Sequence, residues 1–321
     1  MSPLKRREFT QLAAAGLTST IVADLSSKAL AQKPGASQEA LYRVKLLTPS
    51  NGINREDQTP PIELSTADVK TGKVLSKVDV PAQFVDNPLS TPKKSRAFFT
   101  GEGDRITKLA ALGDGNLVIS TVSTKRNGNF NRLLFTVGGA KNPQFRAKKV
   151  LDFKTANQTI ESVLSLPKNL LLCIVGIEGI PPFTFRVIDS TTGKILSQDE
   201  LDLPTLPASH RFANLCQDEK GNIFATETDP EGTPVLISMN LQEKAVITGK
   251  VKIKRLNPLN FQGVPVFDDV RDLNFSASGQ LYAVAADKNR KKNRLFTVDV
   301  KSGKMGLVVD DFEAEKFAFS V

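Results

Sequence analysis

From Glu39 to Val321 the chain is built of short runs in which apolar and polar residues alternate, separated by Gly-, Asp- and Asn-bearing turns. A period of two places every second side chain on one face, the signature of strands with a buried side. The clearest stretch starts at Val270: "VRDLNFSASGQLYAVAADKNRKKNRLFTVDVKSGKMGLVVDD". It reads as an apolar strand, a tight turn, a second strand, a hairpin, a third strand ending in an acidic turn, and a fourth strand.

Three other stretches follow the same grammar, beginning at Arg105, Thr159 and Arg211. Aligned on the first turn, Gly115, Lys168, Gly221 and Gly279 fall at one position. The period is on the order of fifty residues, longer than a WD40 blade. A fifth copy is split. "EALYRVKLL" from Glu39 supplies a second strand, and "IELSTADVKTGKVLSKVDV" from Ile62 supplies the third and fourth. Its missing first strand matches "KFAFSV", Lys316–Val321, which overlays "DLNFSA" from Asp272.

This arrangement predicts an all-β fold, a five-bladed β-propeller of four-stranded antiparallel sheets. The ring would close by pairing of the C-terminal strand with the N-terminal blade, leaving no open edge. Pro81–Asp104 and Leu256–Asp269 read as linkers, too short and too broken by Pro and Gly for four strands. A degenerate sixth blade in Pro81–Asp104 is the alternative count.

In a propeller the first strands line the channel, and the connections into them share a face with the hairpins between second and third strands. Function is expected on that loop face. Counting four back from the apolar anchors Leu109, Val163, Leu215, Leu273 and Phe317 gives Arg105, Thr159, Arg211, Asp269 and Glu313. Two further in are Thr107, Glu161, Ala213, Arg271 and Glu315. These charges either pair and plug the channel, or the arginines grip a small anionic ligand positioned by the acids. The candidate ligand-binding set is Arg105, Arg211, Asp269, Arg271 and Glu313.

Two hairpins on this face are basic: "TKRNGNFNR" with Lys125 and Arg126, and "KNRKKNR" with Arg290, Lys291 and Lys292. They are either solvated tips or a docking site for an anionic surface or an acidic protein. Asp268, Asp269, Asp310 and Glu313 precede the last two first strands and are candidate oxygen ligands for calcium.

Composition narrows the chemistry. A single histidine, His210, excludes mechanisms that need two imidazoles, and no G-x-S-x-G elbow accompanies it. With no Trp and two Tyr, aromatic sugar platforms are scarce. Cys173 and Cys216 lie in apolar strand patterns without CxxC spacing, as buried thiols or a bridge between sheets.

"KRREFTQ" from Lys5, the short apolar run "LAAAGLTSTIVA" and "ALA" at Ala29–Ala31 together resemble a twin-arginine export signal, with Arg6 and Arg7 as the pair and cleavage after Ala31. The resemblance implies a removed signal at 1–31, a flexible mature N-terminus at 32–38 and one propeller domain at 39–321. It implies transient contact with the twin-arginine machinery and a final location in the periplasm or another extracytoplasmic compartment. The mature chain would have no transmembrane segment, since the apolar run is too short. Loss of Lys5, Arg6, Arg7 and Lys28 against Glu8 and Asp24 takes the net charge from +9 to +7. In that compartment nucleic acid is not an expected partner.

"VKTGKVL", "STTGKIL" and "VKSGKM", with Asp68, Asp189 and Asp299 ahead of Gly72, Gly193 and Gly303, resemble the turns of bacterial quinoprotein-like propellers. Those repeats dock their blades through a tryptophan that this chain lacks, which argues against a quinone cofactor. The acidic approaches to the last two first strands resemble calcium-dependent lactonase-type propellers, where a central metal polarises an ester. The expected function is therefore a non-catalytic recognition or scaffold module without a cofactor, and the alternative is a calcium-assisted hydrolase at the channel mouth.

Overall fold

A computed structural model describes residues 39–47, 62–80, 105–125, 128–138, 143–150, 153, 155, 157–196, 201–204, 206–207, 209–241, 251–266, 270–287 and 292–320. The signal residues Arg6, Arg7 and Ala31 lie outside them, as do Arg126, Asp268, Asp269, Arg290 and Lys291. All regular structure among the described residues is β, in five separate sheets.

Blade 1 holds β1 (Leu41–Leu46), β2 (Ile62–Ala67) and β3 (Val74–Asp79). Blade 2 is β4 (Arg105–Ala111), β5 (Leu117–Lys125), β6 (Gly128–Val137) and β7 (Gln144–Lys149). Blade 3 is β8 (Gln158–Leu166), β9 (Leu170–Ile177), β10 (Ile180–Asp189) and the short β11 (Leu201–Asp202). Blade 4 is β12 (Arg211–Gln217), β13 (Ile223–Thr228), β14 (Pro234–Asn240) and β15 (Lys252–Pro258). The sheets of blades 2 to 4 are antiparallel in sequence order, as consecutive hairpins require.

Blade 5 is larger than the repeat predicts. Its four strands are β18 (Val270–Phe275), β19 (Leu281–Asp287), β20 (Lys292–Val298) and β21 (Lys304–Val309). The stretch read as a linker contributes β16 (Asn260–Phe261) and β17 (Val264–Pro265), with β16 pairing parallel to β21. In blade 3, by contrast, the fourth strand is broken, leaving a single bridge between Ile188 and Ile195 before β11.

The ring closes as the sequence predicts. The last strand, β22 (Lys316–Phe319), pairs antiparallel with β1, with Leu41 opposite Phe319 and Arg43 opposite Phe317. Phe317 and Phe319 are buried with Leu41, Ala67, Val284, Leu295 and Phe312, which joins blade 5 to blade 1. Four further apolar clusters join the remaining neighbours, so the hydrophobic core consists of five inter-blade seams. Val44, Ile62 and Leu64 share one seam with Ile106, Leu109 and Leu117. Blades 1 and 2 are therefore in direct contact, and Pro81–Asp104, the alternative sixth blade, lies outside the described residues.

The turns obey local chemistry. Gly115, Gly221 and Gly279 have φ near +80°, and Lys168 takes the same place at φ 61°. In the acidic turns Asp68 O accepts Gly72 N, and Asp299 O accepts Gly303 N, each at 2.8 Å. These are five-residue turns. The aspartate side chains complete them, Asp68 Oδ1 accepting Thr71 N at 2.8 Å and Asp299 Oδ1 accepting Ser302 N at 2.7 Å.

Candidate functional site

The first strands of blades 2 to 5 each shift register just before their apolar anchor. Such a bulge adds one residue and re-aims its neighbours. As a result, the ring of side chains that stitches the centre is the column one residue before the anchors: Lys108, Ser162, Asn214, Asp272 and Lys316. Most of these bond to a neighbouring blade. Ser162 Oγ accepts Leu215 N at 2.8 Å, and Asn214 Nδ2 donates to Val270 O at 2.8 Å. Asp272 Oδ2 accepts Phe317 N at 2.9 Å, and Lys316 Nζ donates to Arg271 O.

Lys108 reaches further, from blade 2 to blade 5, past the intervening β22. Its Nζ donates to Asp272 Oδ1 at 2.6 Å and to Leu273 O at 2.8 Å. Both side chains are sealed from water, so the charges are held by each other, by backbone groups and by Asn274 Nδ2, which donates to Asp272 Oδ2 at 3.3 Å. Sequence reasoning placed the channel columns four and two residues before the anchors. Strict alternation carried that count, and the bulges move the central ring to a position it skipped.

Within the predicted columns opposite charges meet. Arg105 Nη2 donates to Glu161 Oε1 at 2.9 Å and to Oε2 at 3.0 Å, so one predicted column pairs with the other. Thr159 Oγ1 also donates to Glu161, and Thr107 Oγ1 donates to Ser120 Oγ at 2.8 Å. Glu313 accepts Lys45 Nζ at 2.7 Å, a bond that holds its carboxyl below the usual range. Glu315 Oε1 accepts Leu46 N at 3.1 Å. Arg211 and Arg271 are half-buried on their strands.

Two of the four candidate calcium ligands are described, and each faces a cation. Asp310 Oδ1 lies 2.8 Å from Arg294 Nε, and Glu313 is on Lys45. Among the described residues no three His, Cys, Asp or Glu side chains are grouped to hold a metal. Of the basic hairpins, Lys125 closes the end of β5, and Lys292 opens β20 with its ammonium on Asp311. That carboxylate raises the Lys292 pKa.

His210 has a partner the sequence did not suggest. Its Nδ1 lies 3.2 Å from Glu227 Oε1, and Glu227 is buried and gripped by Arg255 through Nε at 2.8 Å and Nη2 at 2.9 Å. The signal was present in Glu227, an acid inside the apolar-patterned "IFATET" strand. Cys173 and Cys216 are free and buried, and burial pushes both thiols up, Cys216 to about 12. They are inert thiols, and no bridge joins them.

Among the described residues no helix is long and apolar enough to cross a membrane. No family model matches the sequence, and no curated protein matches it. Among solved structures, similarity extends to the propeller of Dos1, with 11% identity over 76% of this chain and a TM-score of 0.35. This chain spans about half of that one, 51%. A calcium-binding protein, regucalcin, from Agrobacterium tumefaciens is 11% identical over 77% of this chain and 76% of its own, with a TM-score of 0.39. A protein from Lactobacillus plantarum is 12% identical over 89% of this chain and all of its own, also with a TM-score of 0.39. The five-bladed propeller rests on the sheet order and the five seams of this chain itself.

Proposed function

We propose that this propeller is an exported recognition module, working in the periplasm as a rigid frame that docks an acidic protein surface on its loop face. The observation that carries the reading is the pairing of charges. Arg105 pairs with Glu161 and Lys45 with Glu313 around the first strands, and Arg294 pairs with Asp310 and Arg255 with Glu227 further out on their blades. A reaction site needs an acid, base or nucleophile held ready for substrate, and these groups are engaged with one another. The buried thiols supply no nucleophile either.

β5, which ends at Lys125, and β20, which begins at Lys292, belong to the two blades that flank blade 1. An extended acidic surface would span both, whereas a point anion would meet only one. Immobilised polyglutamate is the probe. The mature protein should bind it and be released by salt, while Lys291→Glu/Lys292→Glu should lose most of that binding. Unchanged capture by the variant would overturn the reading. So would stoichiometric calcium in elemental analysis of the purified protein, which would instead favour the hydrolase built on Asp268, Asp269, Asp310 and Glu313.

A further inference from the structure

On the opposite face, where the first and third turns of each blade emerge, a groove of about 750 Å³ opens between blades 4 and 5. Its size falls within the range of small-molecule sites. A cross-strand row forms one wall. Phe224 stands opposite Ser238, and Ser238 opposite Lys254. The β20–β21 turn forms the other wall with Val300 and Lys301.

Comparison with blade 2 explains why there is space. Aligned on the first turn, the same row there reads Val118, Phe135, Arg146. The Phe135 ring fills the seam, and the Arg146 guanidinium lies 6.0 Å over it. Blade 4 has the hydroxymethyl of Ser238 in place of that ring. Phe224 stands where blade 2 has Val118, so the ring has moved to the inner strand; the wall is low at Ser238, and the cation beside it faces the gap.

The groove is also held open. Its end is closed by Leu256 and Asn257, near the end of β15 before the chain crosses to blade 5. Asn257 Nδ2 donates to Lys301 O at 2.6 Å, and Asn260 N donates to Gly303 O at 3.0 Å. Gly303 is required there, since a Cβ would collide with the Pro258 carbonyl oxygen. With both walls tied, a ligand would not have to order the site on binding.

Its lining is chemically lopsided. Lys220, Lys254 and Lys301 are exposed at its rim, and among the described residues that line it there is no Asp or Glu. Beneath them lie apolar side chains, including Phe224 and Leu256. We infer that this groove is a second binding site, distinct from the loop face, for a small soluble amphiphile with one acidic head on an apolar body. The lysines take the carboxylate or sulfonate, and the Phe224–Leu256 floor takes the tail.

Titration with 8-anilinonaphthalene-1-sulfonate tests this on the folded mature protein. Saturable binding should be displaced by decanoate, at least tenfold more weakly by decanol, and not by inorganic phosphate. Lys254→Glu/Lys301→Glu should weaken the dye at least tenfold, and Ser238→Phe, which raises the low point of the wall, should abolish binding without changing the charge. If Ser238→Phe does not fold, the lysine pair decides. Dye affinity unchanged in the lysine variant overturns the inference, as does displacement by phosphate equal to that by decanoate. Cosedimentation with phosphatidylglycerol vesicles that Ser238→Phe leaves intact would also overturn it, because the lysines would then be meeting a membrane surface.

Discussion

Lys108 Nζ and Asp272 Oδ1 sit 2.6 Å apart at the centre of the ring, linking blade 2 to blade 5 with both side chains at most 2% exposed. Removing one member of such a pair strands the other charge, at a cost of about 3–5 kcal/mol. Lys108→Met should therefore lower stability by that amount in urea unfolding, and Lys108→Met/Asp272→Asn should recover part of it. A loss in the single variant no larger than a surface pair's, about 1 kcal/mol or less, would contradict the pairing.

Ring closure predicts an equally large effect from a side chain far along the chain. Phe317 is fully buried in the seam between blades 5 and 1. Phe317→Ala should cost about 3–5 kcal/mol. Deleting Lys316–Val321 should cost more, because β1 then loses its partner strand as well. A deletion variant that melts at the same temperature as the intact protein would rule out the closure.

Lys168 occupies a glycine position at φ 61°, where a Cβ is strained. Lys168→Gly relieves that strain and gives back some chain entropy. The net expectation is a gain of about 0.5–1 kcal/mol, read as a higher denaturant midpoint. A lower midpoint would show that the lysine is held there by contacts worth more than the strain.

Both cysteines are free, buried and raised in pKa, Cys216 to about 12. Neither should react with a thiol reagent in the native protein, and both should react once it is unfolded. A reducing agent should leave the melting temperature unchanged. Any shift would point to a disulfide.

The ion pair of Glu313 with Lys45 sets an acid dependence. Hydrogen bonding to Lys45 holds the Glu313 carboxyl below its usual value of about 4.5 in the folded state. Its stabilisation is then complete above pH 4.5 and is lost as the pH falls through the folded value. Plotted against pH, wild type should exceed Glu313→Gln at neutrality, and the two curves should converge on acidification. Parallel curves would mean that the pair contributes nothing that titrates.

What could be read from the sequence was whatever repeats locally. The alternation in "LYAVAAD" and its counterparts specifies strands, because a period of two leaves one face to be buried. Gly115, Gly221 and Gly279 mark the first turn, because only a residue tolerating positive φ fits there. The match of "KFAFSV" to "DLNFSA" revealed the closure, since an unpaired β1 would leave an open edge. His210 and the acids of the channel mouth were visible as letters, but not as partners.

The tertiary structure decided which charges meet. Bulges in β4, β8, β12 and β18 shift the register by one residue, and no composition rule marks where a ladder slips. That step put Lys108 and Asp272, rather than Arg105, at the heart of the ring. Their encounter joins residues far apart in the chain, so only the closed circle brings them within reach. The groove has the same origin. Ser238 is unremarkable in its strand, and it becomes the low point of a wall only when blade 5 is packed opposite.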